Sequence, residues 1–384
     1  MRSAADLLNP PRVQGLLREL GEAARVHRFG VAPNPCVGAA VLAGTREVGR
    51  GFHRVWGEEH AEVAALEAAR ASGVPSEAWD TLIVTLEPCS TEAKTGPCVE
   101  RILEAGIRQV FVGALDPDSR HRGRGLELLR RSGVQVHEVA GAAPLETVSP
   151  HFLRWTSRDR IRRPRPWTIA KWAQTLTGQL SPPAEVGAGR WISSAESRAE
   201  VQVLRSRVDA IVTGVGTVLA DDPRLTVRAP GATQRPPWRV VLDAYLRTPR
   251  DARLFAPPAE GESAGEVHVL ALVGADSRRR RELEESGAKV HGLRGSTKLQ
   301  LDLRTVQTWL WEQGAQRMLV EAGPELLRAY LSSGFVDHVR VVSGDVRGGR
   351  GESLGDWLAS AKLLERHDRE CGADAVLEAF LAEG

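Results

Sequence analysis

Apolar residues recur at helical spacing over residues 12 to 27, while Val37 to Leu42 and Glu47 to Phe52 read as strands joined by a turn at Gly44. A run rich in Ala and Glu from His60 to Ala71 predicts a helix, and Thr81 to Leu86 a buried strand. The alternation continues with a helix near Val99 to Ala105, a strand at Gln109 to Ala114, a helix at Leu126 to Ser132 and a strand at Val134 to Val139. Strands alternating with helices in this way predict an α/β layered domain whose helices cover a largely buried sheet.

Prolines at Arg162-Arg163-Pro164-Arg165-Pro166 break the pattern. The expected division is therefore a first domain at 1–150, a linker at 151–166 and a second domain at 167–384. The second opens with a strand at Trp167 to Trp172, followed by a helix at Ala195 to Arg205 and a strand at Ala210 to Gly214. Further strands are expected at Arg239 to Asp243, Val267 to Val273, Arg317 to Glu321 and His338 to Val342, which predicts a second α/β domain. Residues 255 to 266, rich in Pro, Gly, Ala and Glu, read as an exposed loop.

Composition narrows the partners. The 384 residues carry 51 basic and 49 acidic side chains, so there is no global excess of charge to hold a nucleic acid. No stretch reaches the ~20 apolar residues that cross a bilayer, and Met1-Arg2-Ser3-Ala4-Ala5-Asp6 has no signal-peptide core, so a cytoplasmic protein is expected. Four cysteines in so long a chain read as ligands, nucleophiles or core residues rather than a disulfide scaffold.

Two of them stand in a setting suited to a metal. His60-Ala61-Glu62 opens a predicted helix, Pro88-Cys89 follows a strand, and Cys98 opens another helix. One imidazole and two thiolates leave the fourth position of a tetrahedral Zn²⁺ open for water, as in a catalytic site. Glu62 is the candidate proton carrier. Residues two apart on a regular helix diverge, so this assignment requires His60 and Glu62 at the helix start. Burial as plain apolar side chains remains the competing reading for Cys89 and Cys98.

His-x-Glu followed by Pro-Cys and a second Cys matches the zinc-deaminase signature. Eight residues separate the cysteines here. Thr85-Leu86-Glu87-Pro88-Cys89-Ser90 through Thr95-Gly96-Pro97-Cys98 resembles the bifunctional deaminase/reductase family of riboflavin biosynthesis. So do Pro33-Asn34-Pro35-Cys36-Val37-Gly38 and Asp116-Pro117-Asp118 with Gly123-Arg124-Gly125. The resemblance implies a cytidine-deaminase-like α/β/α domain followed by a dihydrofolate-reductase-like α/β domain. It also implies Zn²⁺, NADPH, a phosphoribosylated pyrimidine substrate with Asn34 against the ring, and a homo-oligomer. Where the family has His-Gly-Arg-Thr, this chain has Glu92-Ala93-Lys94-Thr95.

In the second domain the resemblance rests on Lys171 to Gly178, Trp191-Ile192-Ser193, Leu204-Arg205, Gly216-Thr217-Val218, Ala220-Asp221-Asp222-Pro223, Leu225-Thr226-Val227-Arg228 and Glu321-Ala322-Gly323-Pro324. It implies that Arg205 and Arg228 hold the substrate phosphate or ribosyl oxygens, with Leu225 and Glu321 close by. Ala173, Trp191, Thr217, Asp221 and the Gly323-Pro324-Glu325 turn would line the cofactor site, the turn offering free amides to the pyrophosphate. Asp221-Asp222-Pro223 reads alternatively as a plain turn, and Gly214-x-Gly216 as a tight strand-to-helix turn. Thr177 in place of the usual Asp, Gly189 in place of Ser, and Ser343-Gly344-Asp345-Val346-Arg347 after Val342 depart from the family. They leave open a deaminase whose second domain has lost turnover.

Overall fold

The computed structural model describes residues 9–91, 96–184, 191–228, 235–297 and 300–382. The chain divides into two compact units between Arg163 and Pro164. The first runs α1 (Pro10–Ala24), α2 (Arg28–Val31), β1 (Gly38–Ala43), β2 (Arg46–Phe52), α3 (Ala61–Ala71), β3 (Thr81–Val84), α4 (Cys98–Glu104), β4 (Gln109–Val112), α5 (Arg124–Arg131), β5 (Gln135–Glu138), α6 (Leu145–Val148), α7 (Pro150–Trp155) and α8 (Arg158–Arg162).

Its five-stranded sheet has the order β2-β1-β3-β4-β5, with β1 antiparallel to both neighbours and β3, β4 and β5 parallel. Both faces are apolar, and the strand period of two sorts them. Ala39, Val41, Leu82, Val84, Val110 and Val112 pack on Ala65 and Leu66 of α3, Ile102 of α4 and Leu129 of α5. Ala40, Leu42, Ile83 and Phe111 face Val13, Leu17 and Leu20 of α1. Three layers result.

The stretch expected as a linker carries α7 and α8 and belongs to this first unit. His151 is fully buried, its Nε2 2.9 Å from the Asn34 carbonyl, and the neighbouring Ser149 hydroxyl accepts from the Cys36 amide at 2.7 Å. The prolines still mark the end of the unit, at Pro164 rather than residue 150.

The second unit contains β6 (Trp167–Gln174), β7 (Gln179–Ser181), α9 (Ala195–Arg205), β8 (Ala210–Gly214), α10 (Val215–Asp221), β9 (Trp238–Leu242), β10 (Val267–Leu272), α11 (Ser277–Glu285), β11 (Ala288–Leu293), α12 (Leu303–Glu312), β12 (Arg317–Val320), α13 (Pro324–Ser332), β13 (His338–Ser343), β14 (Arg350–Ser353), α14 (Gly355–Ser360), β15 (Leu363–Cys371) and β16 (Asp374–Leu381). Nine strands form one sheet in the order β11-β10-β9-β8-β12-β6-β13-β16-β15. It is parallel from β11 to β13 and closes with an antiparallel C-terminal hairpin, the dihydrofolate-reductase-like arrangement. Val240, Ala170 and Trp172 pack with Leu310 of α12 and Leu327 of α13, while Val241 and Val269 pack with Val218 of α10 and Leu283 of α11. With helices on both faces, the carboxyl ends of the parallel strands are where a ligand is reached.

Candidate active sites

In the first unit, His60 is the N-cap of α3, with φ −79° and ψ 163°, and Glu62 is in the first turn. Cys98 opens α4 and donates its amide to the Cys89 sulfur at 3.3 Å. His60 Nδ1 lies 3.3 Å from Cys98 Sγ and 3.6 Å from Cys89 Sγ, and the three ligand atoms fall within 4.8 Å of one another. A tetrahedral zinc with ordinary Zn–N and Zn–S bonds sets N···S edges of about 3.6 Å. The donor set and its spacing fit that ion, and three protein ligands leave one position open.

Charge in this cluster follows from burial and hydrogen bonding. The Cys89 thiol is held well below its ordinary value, first by the hydrogen bond from the Cys98 side chain and then by His60 and the Cys98 amide. Burial pushes the Glu62 carboxyl above the usual carboxylate range, with His60 opposing it. Burial thus favours the protonated form of this carboxyl over the carboxylate.

Asn34 joins the cluster through His53, a residue that sequence reasoning passed over. His53 Nδ1 is 2.9 Å from the Glu59 carbonyl and Nε2 is 3.3 Å from Asn34 Nδ2, while its ring centroid lies 5.2 Å from that of His60. Nδ1 therefore carries the hydrogen, and the Nε2 lone pair accepts from the Asn34 amide. Burial lowers the His53 pKa to about 4, which keeps the ring neutral. Glu87 was also missed. Its carboxylate accepts from the amides of Asp116, Gly123 and Gly125 at 2.9 to 3.2 Å, tying that loop to the Cys89 segment. Glu92, Ala93, Lys94 and Thr95 lie outside the described residues, as does Gly189.

In the second unit, Arg205 and Glu321 form a two-pronged pair, Nε to Oε1 at 2.6 Å and Nη2 to Oε2 at 2.8 Å, and Nη1 donates to the Thr226 carbonyl at 3.0 Å. Three of the five N–H donors of an arginine are thus occupied. Burial alone would push the Glu321 carboxyl up, but Arg205 and Lys171 bring it below the usual range. Burial pulls the Lys171 ammonium down. Lys171 stands opposite Arg340 in the β6–β13 register. Leu225 is buried at φ 52°, next to Thr226.

Gly323 caps α13 and donates its amide to Thr217 Oγ1 at 2.9 Å, which brings these two residues together. That bond corrects one expectation: the Gly323 amide is engaged, and Pro324 has none. The free helix-start donors are those of Glu325 and Leu326. Asp221 ends α10, and Asp222 is a left-handed cap whose Oδ1 accepts from the Arg253 amide at 2.8 Å, so the turn reading holds for Asp222. Arg228 donates its amide to Gln202 Oε1 at 3.0 Å, and its guanidinium lies 3.7 Å from Glu262. Trp191 is 68% exposed under the Arg198 guanidinium, and Ala173 packs against Val342, Cys371 and Val376. The turn that carries Thr177 meets the altered segment after Val342 and the residue that follows it: the Leu176 amide donates to the Val346 carbonyl at 2.8 Å, and Thr177 Oγ1 to the Gly348 carbonyl at 3.2 Å.

An imidazole and two thiols around one point, on a cytidine-deaminase-like α/β/α layer, define a zinc-dependent deaminase domain joined to a dihydrofolate-reductase-like domain. Comparison with known proteins agrees. The "Cytidine and deoxycytidylate deaminase zinc-binding region" family matches residues 13–114 and the "RibD C-terminal domain" family residues 166–376. The riboflavin biosynthesis protein RibD of Aquifex aeolicus is 34% identical over 352 residues, covering 90% of this chain and 92% of the relative. RibD of Escherichia coli is 34% identical over 340 residues, 84% and 86% of the two chains. Among solved structures, Acinetobacter baumannii RibD superposes with a TM-score of 0.67 at 26% identity, covering 97% of this chain and 100% of that one. A diaminohydroxyphosphoribosylaminopyrimidine deaminase/5-amino-6-(5-phosphoribosylamino)uracil reductase from Thermotoga maritima gives 0.65 at 25% identity, with 96% and 99% covered. The chain belongs to the RibD family of bifunctional, zinc- and NADPH-dependent deaminase/reductases of riboflavin biosynthesis. The C-terminal family match runs through the altered segment after Val342, and the reading of a degenerate second domain gains no support. No helix among the described residues is long and apolar enough to cross a membrane.

Proposed function

We propose that the first unit hydrolyses the 2-amino group from 2,5-diamino-6-(5-phosphoribosylamino)pyrimidin-4-one. The second then reduces the ribosyl group of the product, 5-amino-6-(5-phosphoribosylamino)uracil, to ribityl. The observation that carries this reading is the His60, Cys89 and Cys98 group at tetrahedral edge lengths, with Glu62 in the helix that His60 caps.

Zinc held by His60, Cys89 and Cys98 supplies Lewis-acid activation of water at neutral pH. Glu62 takes the proton from the attacking water, gives it to the ring nitrogen beside the amino-bearing carbon, and then carries a proton to the departing ammonia. Its buried carboxyl suits this exchange. His53 holds the Asn34 amide nitrogen, which leaves Asn34 Oδ1 to accept from the pyrimidine.

NADPH supplies the hydride in the second unit. The open-chain aldehyde of the sugar needs a proton on its oxygen as the hydride reaches its carbon. Lys171, facing Glu321, is the group assigned to give it, while Arg205 fixes the Glu321 carboxylate against the sugar hydroxyls. The two N–H donors left on Arg205, with the guanidinium of Arg228, are assigned to the substrate phosphate. Ala173, Trp191, Thr217, Asp221 and the helix start at Gly323-Pro324-Glu325 are assigned to the cofactor. Four free cysteines, two of them needed as ligands, support a cytoplasmic location. A homo-oligomer is part of the same reading, and sedimentation equilibrium checks it.

The test is a single purified preparation. Metal analysis should find about one zinc per chain, ammonia should be released from the diaminopyrimidine, and NADPH should be oxidised when the deaminated product is added. A preparation that holds zinc and releases ammonia but never oxidises NADPH would confine the activity to the first unit.

A further inference from the structure

We propose that Arg340 is a positioning residue of the reductase site, set on the strand beside Lys171 so that the lysine gives its proton more readily to the sugar oxygen; this rests on the reading of Lys171 as the proton donor. The two residues are partners in the β6–β13 register, and Arg340 is in turn the partner of Glu378 in the β13–β16 register. Paired residues put their side chains on one face of a sheet, on strands about 4.8 Å apart. Glu321 follows Val320, which pairs with Ala170, so it continues the same row on the other side of Lys171. Across β12, β6, β13 and β16 the row therefore reads carboxylate, ammonium, guanidinium, carboxylate. Two cations stand side by side at its centre, an arrangement that costs stability in a sheet.

The guanidinium is tethered from two elements. Arg340 is buried, its Nη2 donates to Glu200 of α9, and its Nη1 lies 3.7 Å from Glu378. Arg369 of β15 donates from Nη1 to Glu200 at 3.0 Å and lies 3.8 Å from Glu378. His338 Nε2 is 3.5 Å from Glu378 Oε1, and burial keeps that ring neutral. Glu378 stands one strand further from Lys171 than Arg340 does, so the positive end of that pair faces the lysine. An arginine does not lose its charge. Lys171 is thus the member of the pair that relieves the repulsion, by releasing a proton. Burial lowers its pKa most, Glu321 opposes that, and Arg205 and Arg340 add to it. In the reaction Lys171 passes one proton to the carbonyl oxygen while the carbon accepts the hydride of NADPH. The aldehyde becomes an alcohol, NADPH becomes NADP⁺, and the neutral amine is reprotonated from water.

The experiment follows NADPH oxidation in single turnovers of the full chain with 5-amino-6-(5-phosphoribosylamino)uracil, as a function of pH. It compares the parent with R340Q, R340K, the double variant R340Q/E378Q and K171Q. In the parent the rate should fall on the alkaline side as Lys171 loses its proton. In R340Q that fall should move to higher pH by on the order of one unit, the effect of a single charge at this range. Its plateau rate should also drop, because a weaker acid donates more slowly. R340K keeps the charge and should keep the parental position. The double variant removes the guanidinium together with the carboxylate paired to it, and should shift the same way by less; it decides the matter if R340Q fails to fold. An alkaline fall that stays in place or moves down in folded R340Q or in the double variant, or that moves equally in R340K, would overturn the proposal. K171Q with the parental alkaline fall would instead remove the donor reading beneath it.

Discussion

His60 caps helix α3 and Glu62 is the second residue of that helix, so two side chains only two positions apart serve one site. Inside a regular helix they would point about 200° away from each other. The extended backbone of His60 removes that conflict, and the buried Glu62 carboxyl shares its electrostatic surroundings with His60, Cys89 and Cys98. Everything in the first site thus depends on where α3 begins and how closely it lies on the sheet.

That closeness is set by glycine. A Cβ at Gly51 would stand 2.2 Å from the Ala65 amide nitrogen and 2.5 Å from the Ala61 carbonyl oxygen, both backbone atoms of α3. Gly51→Ala must therefore displace the helix. Overpacking of this kind costs about 1 to 3 kcal/mol. Chemical denaturation should show that loss, and zinc titration a weaker site. A variant with parental stability and zinc affinity would mean that α3 is free to shift.

The neutral state of His53 gives the first unit a pH dependence whose sign is determined. Its folded pKa of about 4 lies below the ordinary value of 6.5. Between those values the unfolded chain takes up a proton that the folded one refuses, so stability falls as the pH drops from 6.5 toward 4 and is unaffected above. The contribution is of order 3 kcal/mol for a ring this buried. Protonation of the folded ring also ends the hydrogen bond from Asn34, so the KM for deamination should rise only as the pH falls through about 4. H53N should flatten the stability profile, and an unchanged profile would show that another group titrates.

The Arg205–Glu321 pair should divide the two activities. Glu321→Gln leaves the buried Arg205 guanidinium without its carboxylate, a loss of about 3 to 5 kcal/mol for a buried pair. Arg205→Lys keeps the charge but cannot reach both carboxylate oxygens and the Thr226 carbonyl. Both variants should depress NADPH oxidation, E321Q more strongly, while ammonia release continues at the parental rate. Equal loss of both activities would point to general unfolding.

Much of the layering was legible because buried parallel strands such as Ala210–Gly214 read as short apolar runs. The C-terminal hairpin was not. β15, Leu363-Leu364-Glu365-Arg366-His367-Asp368-Arg369-Glu370-Cys371, is an edge strand whose charged side chains hide its period. β11 was missed for a similar reason, its edge position allowing Lys289, His291 and Gly292 among the apolar residues. At the sites, the ligand residues were legible because zinc restricts residue type and spacing. His53, His151 and Lys171 reach their partners through tertiary contacts that no local spacing encodes. The occupied donors of Arg205 and Gly323 were invisible for the same reason.

The most direct test of the account is Glu62→Gln in the full chain, with ammonia release, zinc content and NADPH oxidation measured on the same preparation. Ammonia release should fall by about 10²- to 10⁴-fold, the usual weight of a proton-transferring group. Zinc should stay at the parental ratio, and NADPH should still be oxidised when the deaminated product is supplied. Ammonia release at the parental rate, with zinc bound, would contradict the assignment of Glu62 and with it the proposed chemistry of the first site.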